Sequence, residues 1–457
     1  MKNASAPADT AAGRIGEFVA GLRYSDIPAE VRRKAKVTVL HDLGVALAGH
    51  SLVRQANAAA RYLAGESPAG ARARLLIDGG RVGLEAAALA TGALIHARSQ
   101  DDTYLPGRTH LGATTLPALL ALSDERDSSG ESFLTAMVAG YEAACALSAA
   151  HGDAVAGRGF RATSVFGPLA AAAASARLLG CSASQTVSAL GLAASFAGGT
   201  NQTWAAGTGE WQYQVGSASR NGMVAAVLAS HGVSGAADGV EGVAGLLKAF
   251  SGDVRGADEI GTQLGTDWRM NDVTFKPYPV CALNQIPVTL LVQVLTEHDL
   301  SAAQVQGITL AMPPHDASYP GLDSKGPFAD VGAALMSAAY CSAIAVHERT
   351  VRLSDMRRFD DPALIALTQK ITLVGDAGLP VGSVTAEVQS DFGPVSARFD
   401  STPATFNWGW AETLERLQGI QDDMPFPADS FARFADVVTT LDTRSARELI
   451  DATIVPG

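Results

Sequence analysis

The sequence has little of what many functional sites are made from. Cysteine occurs only four times in 457 residues, and no two cysteines form a C-x-x-C pair, which argues against a zinc site or a dense disulfide framework. There is no H-x-x-x-H or H-E-x-x-H spacing, no G-x-S-x-G elbow, no Walker A motif and no G-x-G-x-x-G after a strand. We therefore expect neither a metal nor another cofactor, and we expect the cysteines to be reduced.

Basic residues and long uncharged apolar stretches are also scarce. Lysine and arginine number 34 against 46 acidic residues, a formal net charge of -12. That balance excludes a nucleic-acid partner of the usual basic kind but leaves room for a small anionic substrate in a locally basic pocket. No apolar leader opens the chain and no stretch is convincingly long enough to span a bilayer, so we expect a cytoplasmic protein without a membrane partner.

What is present is mostly small and apolar: hydrophobic residues make up 47% of the chain. Helical periodicity runs through about the first 260 residues and predicts, among others, helices at 130–150 and 216–232. The texture changes near residue 270. Beyond it we expect four strands, at 305–313, 371–376, 383–390 and 394–399, the last two as a hairpin. Two amphipathic helices end the chain. The pattern predicts a mainly α protein with a large all-α domain (1–270 and 405–457) and an inserted smaller α/β domain (271–404).

The most polar stretch, residues 99–113, reads S-Q-D-D-T-Y-L-P-G-R-T-H-L-G-A and lies between two apolar helices. It offers the carboxylates of Asp101 and Asp102 and the imidazole of His110. A second stretch places Arg161 just before an Ala-rich helix, where it would meet an anion. The alternative is that Ser164 caps this helix and Arg161 is solvated.

Two further stretches carry candidate groups. Around residues 209–222, Gln214 and Arg220 could bind a substrate, or the first part could be an exposed loop anchored by aromatic residues. Lys276 lies in a proline-stiffened segment among apolar neighbours, where burial would lower its pKa and suit it to proton transfer, although an isolated lysine is more often a surface residue. His41 and His96 lie in apolar helices and are interpreted as core residues.

Several motifs resemble the MmgE/PrpD family. The loop resembles the family's D-x-D-D-T…H-P-G segment, and G-F-R-A-T-S-V-F-G-P-L-A-A-A-A-A-S-A-R-L-L-G is similar to its G-F-H helix. K-P-Y-P-V-C and A-L-M-S-A-A-Y-C-S-A-I-A resemble its K-x-Y/F-P segment and S-x-x-Y helix. The family includes 2-methylcitrate dehydratase, cis-aconitate decarboxylase and iminodisuccinate epimerase.

The resemblance implies a helical domain, a smaller lid domain, a cleft between them, a homodimer and no cofactor or metal. It puts His110, Lys276 and Tyr340 on active-site positions and Asp101 and Asp102 in the same motif. The sequence also departs from the family pattern. Ser99 stands where the dehydratase and decarboxylase members have an Asp. Arg161 and Gln214 stand in place of two His residues, and Trp211 stands in place of a Lys.

From these residues we expect a lyase-type enzyme that abstracts a proton next to a carboxylate of a small di- or tricarboxylate. His110 and Lys276 would form the acid–base pair, and Tyr340 would donate a hydrogen bond to developing charge. Asp102 would orient His110 or hold the loop. Substrate-binding residues would be Ser99, Asp101, Arg161, Gln214 and Arg220. The alternatives are an epimerase of a small dicarboxylate and a non-catalytic metabolite-binding relative.

Overall fold

The computed structural model describes residues 10–64 and 72–455, which are mainly helical. The first twelve α-helices are α1 Ala11–Gly21, α2 Ala29–Ala48, α3 Arg54–Ala64, α4 Leu84–Ile95, α5 Gly112–Arg126, α6 Gly130–Ser148, α7 Gly152–Gly157, α8 Ala162–Leu179, α9 Ala183–Ser195, α10 Gln202–Ala206, α11 Glu210–Ser230 and α12 Leu246–Phe250. The remaining ones are α13 Gln285–Glu297, α14 Pro314–Ala317, α15 Val331–Met336, α16 Ala338–Glu348, α17 Pro362–Gln369, α18 Trp410–Gln418, α19 Ala428–Thr439 and α20 Ala446–Asp451. The strands are β1 Ala73–Arg74, β2 Arg81–Val82, β3 Val305–Met312, β4 Ile371–Gly375, β5 Ser383–Ser390 and β6 Gly393–Asp400.

Helix α8 is the centre of the helical part. It packs against α5, α6, α9 and α11, and its alanines are fully buried. By length and composition α8 could cross a membrane, but 83% of it is buried inside the protein. Its apolar character on all sides is therefore that of a core helix.

Glycines let these helices approach closely. Where α4 crosses α11, a Cβ on Gly92 would lie 2.5 Å from the Cα of Gly216, and a Cβ on Gly216 would lie 2.2 Å from the backbone oxygen of Leu89. No side chain fits at either distance. This contact fixes the C-terminal end of α4, from which the loop of residues 99–113 leaves.

Residues 271–404, called the sheet region below, contain a four-stranded sheet in the order β4-β3-β5-β6. Strand β3 runs parallel to β4 and antiparallel to β5, and β5 and β6 form a hairpin. Helix α13 packs on β5 and β6, and α16 packs on α13 and α17. These elements enclose a second hydrophobic core, which also takes in Trp204 and Trp211 from the helical part.

After the sheet region the chain returns to the helices. Helices α18 and α19 pack against α2, and α20 packs against α5. Where the chain leaves and re-enters the helical part, the two segments are held together by a hydrogen bond from Phe275 N to the carbonyl of Phe406 (2.8 Å). The side chain of Asn407 adds a bond to the carbonyl of Asn271 (2.7 Å).

The predicted mainly α class is confirmed, and the four strands expected in the sheet region are present. Two local predictions are wrong. Strands β1 and β2 form a hairpin in the part predicted to be all helical, and they are too short to show alternation. Residues 210–215, taken as a loop before a helix at 216–232, form the first turns of α11.

Candidate functional site

A cleft of about 570 Å³ lies between the loop of residues 99–113 and the sheet region. The loop is drawn against the segment that carries Lys276 by paired backbone hydrogen bonds between Thr103 and Thr274, both 2.9 Å. Arg108 of the loop reaches the sheet region through an ion pair with Asp316 at 2.8 Å. The cleft therefore brings residues far apart in sequence to one place.

Asp101 is the centre of the polar end of this cleft. Its carboxylate is fully buried and accepts from Nδ1 of His96 at 2.8 Å. The ammonium of Lys276 lies 3.7 Å from one carboxylate oxygen and Nδ1 of His110 lies 3.8 Å from the other. Burial would raise the pKa of Asp101, but the nearby His96, Lys276 and His110 outweigh it and hold the pKa well below its usual range. Asp101 is thus a buried anion.

His110 is oriented by its own loop. Its Nδ1 lies 2.9 Å from the carbonyl of Asp102 and 3.3 Å from Oγ1 of Thr103. Because a carbonyl only accepts, Nδ1 carries the proton and Nε2 has the free lone pair. Among the residues that the structure describes, Nε2 has no hydrogen-bond partner, and His110 lines the cleft. Burial, followed by the charge of Lys276, holds the pKa of His110 well below 6.5, so the imidazole is neutral at pH 7.

Lys276 is buried, with only 2% of its surface exposed. Its ammonium donates to the carbonyl of Ser99 at 2.7 Å and lies 3.4 Å from Nδ1 of His110. Ser99 has the left-handed backbone (φ +53°), which turns that carbonyl toward the lysine. Burial lowers the pKa of Lys276 from its usual 10.5, although Asp101 opposes the shift. The interpretation of Lys276 as a surface residue is therefore wrong.

Asp102 lies behind the cleft and holds the loop. One carboxylate oxygen accepts from Gly112 N (2.9 Å) and the other from the hydroxyl of Tyr141 (2.7 Å). Its own N–H donates to Asp42 at 2.9 Å. Burial raises the pKa of both Asp42 and Asp102 well above the usual range. The charge of Asp101 adds to the shift of Asp42, and the charge of Asp42 adds to the shift of Asp102. Asp102 contacts His110 through its backbone carbonyl, while its side chain points away.

Arg161 is buried rather than solvated. Its guanidinium stacks over the ring of Trp204, 5.1 Å from the ring centre, and donates to the carbonyl of Trp211, to Gln214 and to Nε2 of His96. Burial lowers its pKa to about 10, so it stays charged at pH 7. Both nitrogens of His96 are therefore assigned: Nε2 accepts from Arg161 and Nδ1 donates to Asp101.

The structure brings some of the predicted residues together and not others. Ser99, His110, Arg161 and Lys276 line the cleft, and Asp101 lies directly beneath them. Asp102 lies behind the lining, and three further predicted residues also lie outside it, each held by other groups. Gln214 bonds Arg161 and the carbonyl of Thr200, Arg220 bonds Asn221, and Tyr340 is buried against Phe328 and Phe359 with its hydroxyl on the carbonyl of Asp355.

Sequence reasoning missed several polar residues of the cleft, among them His96 and Tyr319, which both adjoin Arg161. His96 was interpreted as a core residue, yet it links Arg161 to Asp101 and its ring lies 4.9 Å from that of His110. The one sequence signal for this role was the position of His96, five residues before Asp101. Tyr319 also lines the cleft, and its hydroxyl donates to Oδ1 of Asn201 at 3.2 Å. No sequence pattern marked it. The capping role suggested for Ser164 is also wrong, because its hydroxyl has no partner among the described residues.

One group of side chains has the composition of a metal site. Ligand atoms of His96, Asp101 and His110 lie within 4.8 Å of one another. However, His96 and Asp101 are already hydrogen-bonded to each other, and Nδ1 of His110 is committed to a carbonyl. The cations Lys276 and Arg161 also adjoin the group and would repel a divalent ion. The donor set fits a proton network better than a metal centre.

A neutral imidazole with a free nitrogen and a desolvated lysine beside a buried carboxylate, at the end of a cleft, is an arrangement typical of enzymes that transfer protons. The chain belongs to the MmgE/PrpD family, since the family model for the MmgE/PrpD N-terminal domain matches residues 13–256, more than half of the chain.

Three curated relatives are similar to this chain. A cis-aconitate decarboxylase-like protein, oryM, from Aspergillus oryzae (strain ATCC 42149 / RIB 40) is 32% identical over 286 residues, which span 60% of this chain and 59% of that protein. A cis-aconitate decarboxylase from Aspergillus terreus is 26% identical over 455 residues, 93% of this chain and 89% of the relative. A second cis-aconitate decarboxylase, from Aspergillus terreus (strain NIH 2624 / FGSC A1156), is 25% identical over 452 residues, again 93% of this chain and 89% of the relative. These relatives support a lyase-type enzyme.

Proposed function

We propose that the protein is a lyase that moves a proton at carbon next to a carboxylate of a di- or tricarboxylate, and that it needs no resident cofactor. The observation that carries this proposal is the placement of the Lys276 ammonium 3.4 Å from His110, with both groups facing the buried anion of Asp101. The names of the relatives make decarboxylation of an unsaturated tricarboxylate the first reaction to test.

In a decarboxylation, the bond from carbon to one carboxylate breaks, carbon dioxide leaves, and the electron pair stays on the carbon chain. A proton must then reach that carbon. Lys276 can deliver it, because burial makes its ammonium a stronger acid than in water. In the related elimination of water, Nε2 of His110 would take the proton from carbon and Lys276 would protonate the leaving hydroxyl. A correctly placed acid or base is worth about 10²–10⁴-fold in rate.

Binding of the substrate's carboxylates falls to the cations of the same wall. Arg161 and Lys276 both line the cleft and remain the positive groups nearest its polar end. Arg161 has its donors on Trp211, Gln214 and His96, so it acts on a carboxylate chiefly through its charge. Its replacement of the family histidine changes an acid–base group into a permanent cation.

The same geometry disfavours the epimerase alternative. An epimerase removes a proton from one face of a carbon and returns one to the other, so its two groups lie on opposite sides of the substrate. His110 and Lys276 lie side by side. Protons taken and delivered by this pair stay on one face, as elimination and decarboxylation allow.

The proposal is tested by incubating the protein with cis-aconitate, 2-methylcitrate and iminodisuccinate and measuring carbon dioxide release, water elimination and loss of optical activity. We expect a lyase reaction with at least one acid, reduced about 10²–10⁴-fold in His110→Asn and in Lys276→Met. Matched controls are His298→Asn and Lys248→Met, which lie outside the cleft. Racemisation alone would favour the epimerase, and binding with no turnover of any acid would favour the non-catalytic relative.

A further inference from the structure

The sheet region lines the cleft with both polar side chains, such as Gln285, Ser383 and Thr402, and apolar ones. Five of the apolar side chains, here called the apolar strip, are Leu283, Ile286, Met312, Val381 and Val384. None of them serves the proton chemistry described above. A small tricarboxylate, which is polar on every side, gives no reason for these apolar side chains.

Three side chains of the strip come from neighbouring elements. Met312 ends β3, and the residue before it, Ala311, pairs with Thr385 in β5, so Met312 and Val384 adjoin across the ladder. Ile286 lies in the first turn of α13, which packs on β5 and β6. Met312, Val384 and Ile286 therefore belong to the sheet and its covering helix, whereas Leu283 and Val381 lie in the turns just before α13 and β5.

The strip leads from the interior to the mouth. Met312 and Val384 are 2% and 4% exposed, whereas Val381 is 75% exposed. Leu105, from the loop on the other side, is 50% exposed and lines the same cleft. The cleft volume of about 570 Å³ falls within the range of roughly 300–1,000 Å³ typical of pockets for drug-sized ligands. A six-carbon acid would fill only part of it.

We propose that the substrate is a di- or tricarboxylate that carries an apolar arm of several carbons, longer than a methyl group. Its acidic head would lie at Lys276 and Arg161, and its alkyl chain would lie along the apolar strip. This inference rests on the proposed function for the position of the head and adds the class of substrate. Each methylene that the strip removes from water should strengthen binding about fourfold, from about 0.8 kcal/mol per methylene.

The test uses ligands that cannot react, so that binding is measured apart from catalysis. Succinate and its butyl, hexyl and octyl derivatives are titrated calorimetrically into the full chain. We expect Kd to fall with chain length, by about fourfold for each of the first several methylenes. A Kd that does not change, or that rises, as the chain lengthens would overturn the inference.

Two variants locate the arm. Val381→Asn changes an exposed residue at the mouth and should weaken octylsuccinate severalfold while leaving succinate unchanged; Val243→Asn, 99% exposed and outside the cleft, is its control. Ile286→Ala should act in the same way, with Ile365→Ala, outside the cleft, as its control. If both cleft variants retain the full chain-length effect, the arm lies elsewhere and the inference is wrong. Lack of lyase activity would contradict the proposed function alone, since the titrations do not need turnover.

Discussion

Asp101 raises the pKa of each basic group around it, against the effect of burial. As the buried anion between His96, His110 and Lys276, it stabilises the protonated form of the lysine while burial opposes it. His96 cannot serve as the base, because its two nitrogens are occupied by Asp101 and Arg161. Burial also lowers the pKa of His96 to about 4. His96 is therefore a positioning residue, and His110 is left as the base.

The shifted pKa values predict an unusual pH profile. A base loses activity when it is protonated, so the lowered pKa of His110 moves the acid limb of kcat/KM below pH 6.5. An acid loses activity when it is deprotonated, so the lowered pKa of Lys276 moves the alkaline limb below pH 10.5. We expect kcat/KM to stay level as pH falls through 6.5. An acid limb centred at or above pH 6.5 would contradict the assignment of His110.

Asp42 provides a second prediction at this scale. It accepts the N–H of Asp102, whose carbonyl orients His110, and burial raises its pKa well above the usual 3.8, which favours the neutral form. Asparagine keeps an oxygen that can accept this N–H, whereas alanine leaves the buried N–H without an acceptor. Asp42→Ala should lower the free energy of unfolding by about 1–3 kcal/mol and Asp42→Asn by much less. Equal losses in urea denaturation would show that Asp42 is needed as an anion.

At the scale of elements, the crossing of α4 and α11 positions the loop. Gly216→Ala would drive a methyl group into the backbone of α4, at 2.2 Å from the oxygen of Leu89. Such overpacking costs about 1–3 kcal/mol. Gly21→Ala, also in a helix but with no atom within 4 Å of the added Cβ, should be neutral or stabilising. The urea midpoints of the two variants measure the difference, and similar midpoints would argue against a tight crossing.

The elements of this fold were largely predictable, because long apolar periodicity and alternation are local properties of the sequence. Helices such as α6 and strands such as β5 were found within a few residues of their ends. The start of α11 was missed because its aromatic and amide residues resemble a loop, and packing of Trp211 into the core of the sheet region stabilises the helix there.

The site was predictable only in part. His110 and Lys276 follow from motifs, and their meeting was implied by the resemblance. Tyr340 and Arg220 carry suitable chemistry, but their distance from the cleft depends on how α16 and α11 are rotated, which one sequence does not reveal. Tyr319 and the apolar strip come from separate turns and strands that only the tertiary fold brings together.

At the scale of the whole molecule, Lys34 ties the helical part to the two chain segments that enter and leave the sheet region. Its ammonium is buried against the ring of Phe275 and donates to Asn407 at 2.7 Å, and Asn407 in turn bonds Asn271. Burial lowers the pKa of Lys34 to about 7. The segment that carries Lys276 is thereby anchored to α2.

Asn407→Ala should cost about 1–3 kcal/mol, because it leaves the Lys34 ammonium buried without an acceptor. Lys34→Met should cost less, since water can reach the half-buried Asn407. In the double variant, which combines Lys34→Met with Asn407→Ala, part of the free energy of unfolding lost in Asn407→Ala should be recovered, because no buried ammonium is then left without an acceptor. Urea denaturation of the three variants measures this, and purely additive losses would mean that the two side chains do not depend on each other.

Delivery of a proton to carbon by Lys276 is tested most directly by following deuterium from heavy water into the carbon skeleton of cis-aconitate, or of its alkyl-substituted analogue, by NMR. We expect one deuteron at a single carbon with the native protein, and incorporation slowed about 10²–10⁴-fold in Lys276→Met. Turnover at the native rate in Lys276→Met, or product formed without solvent deuterium, would contradict the assignment of Lys276 as the acid.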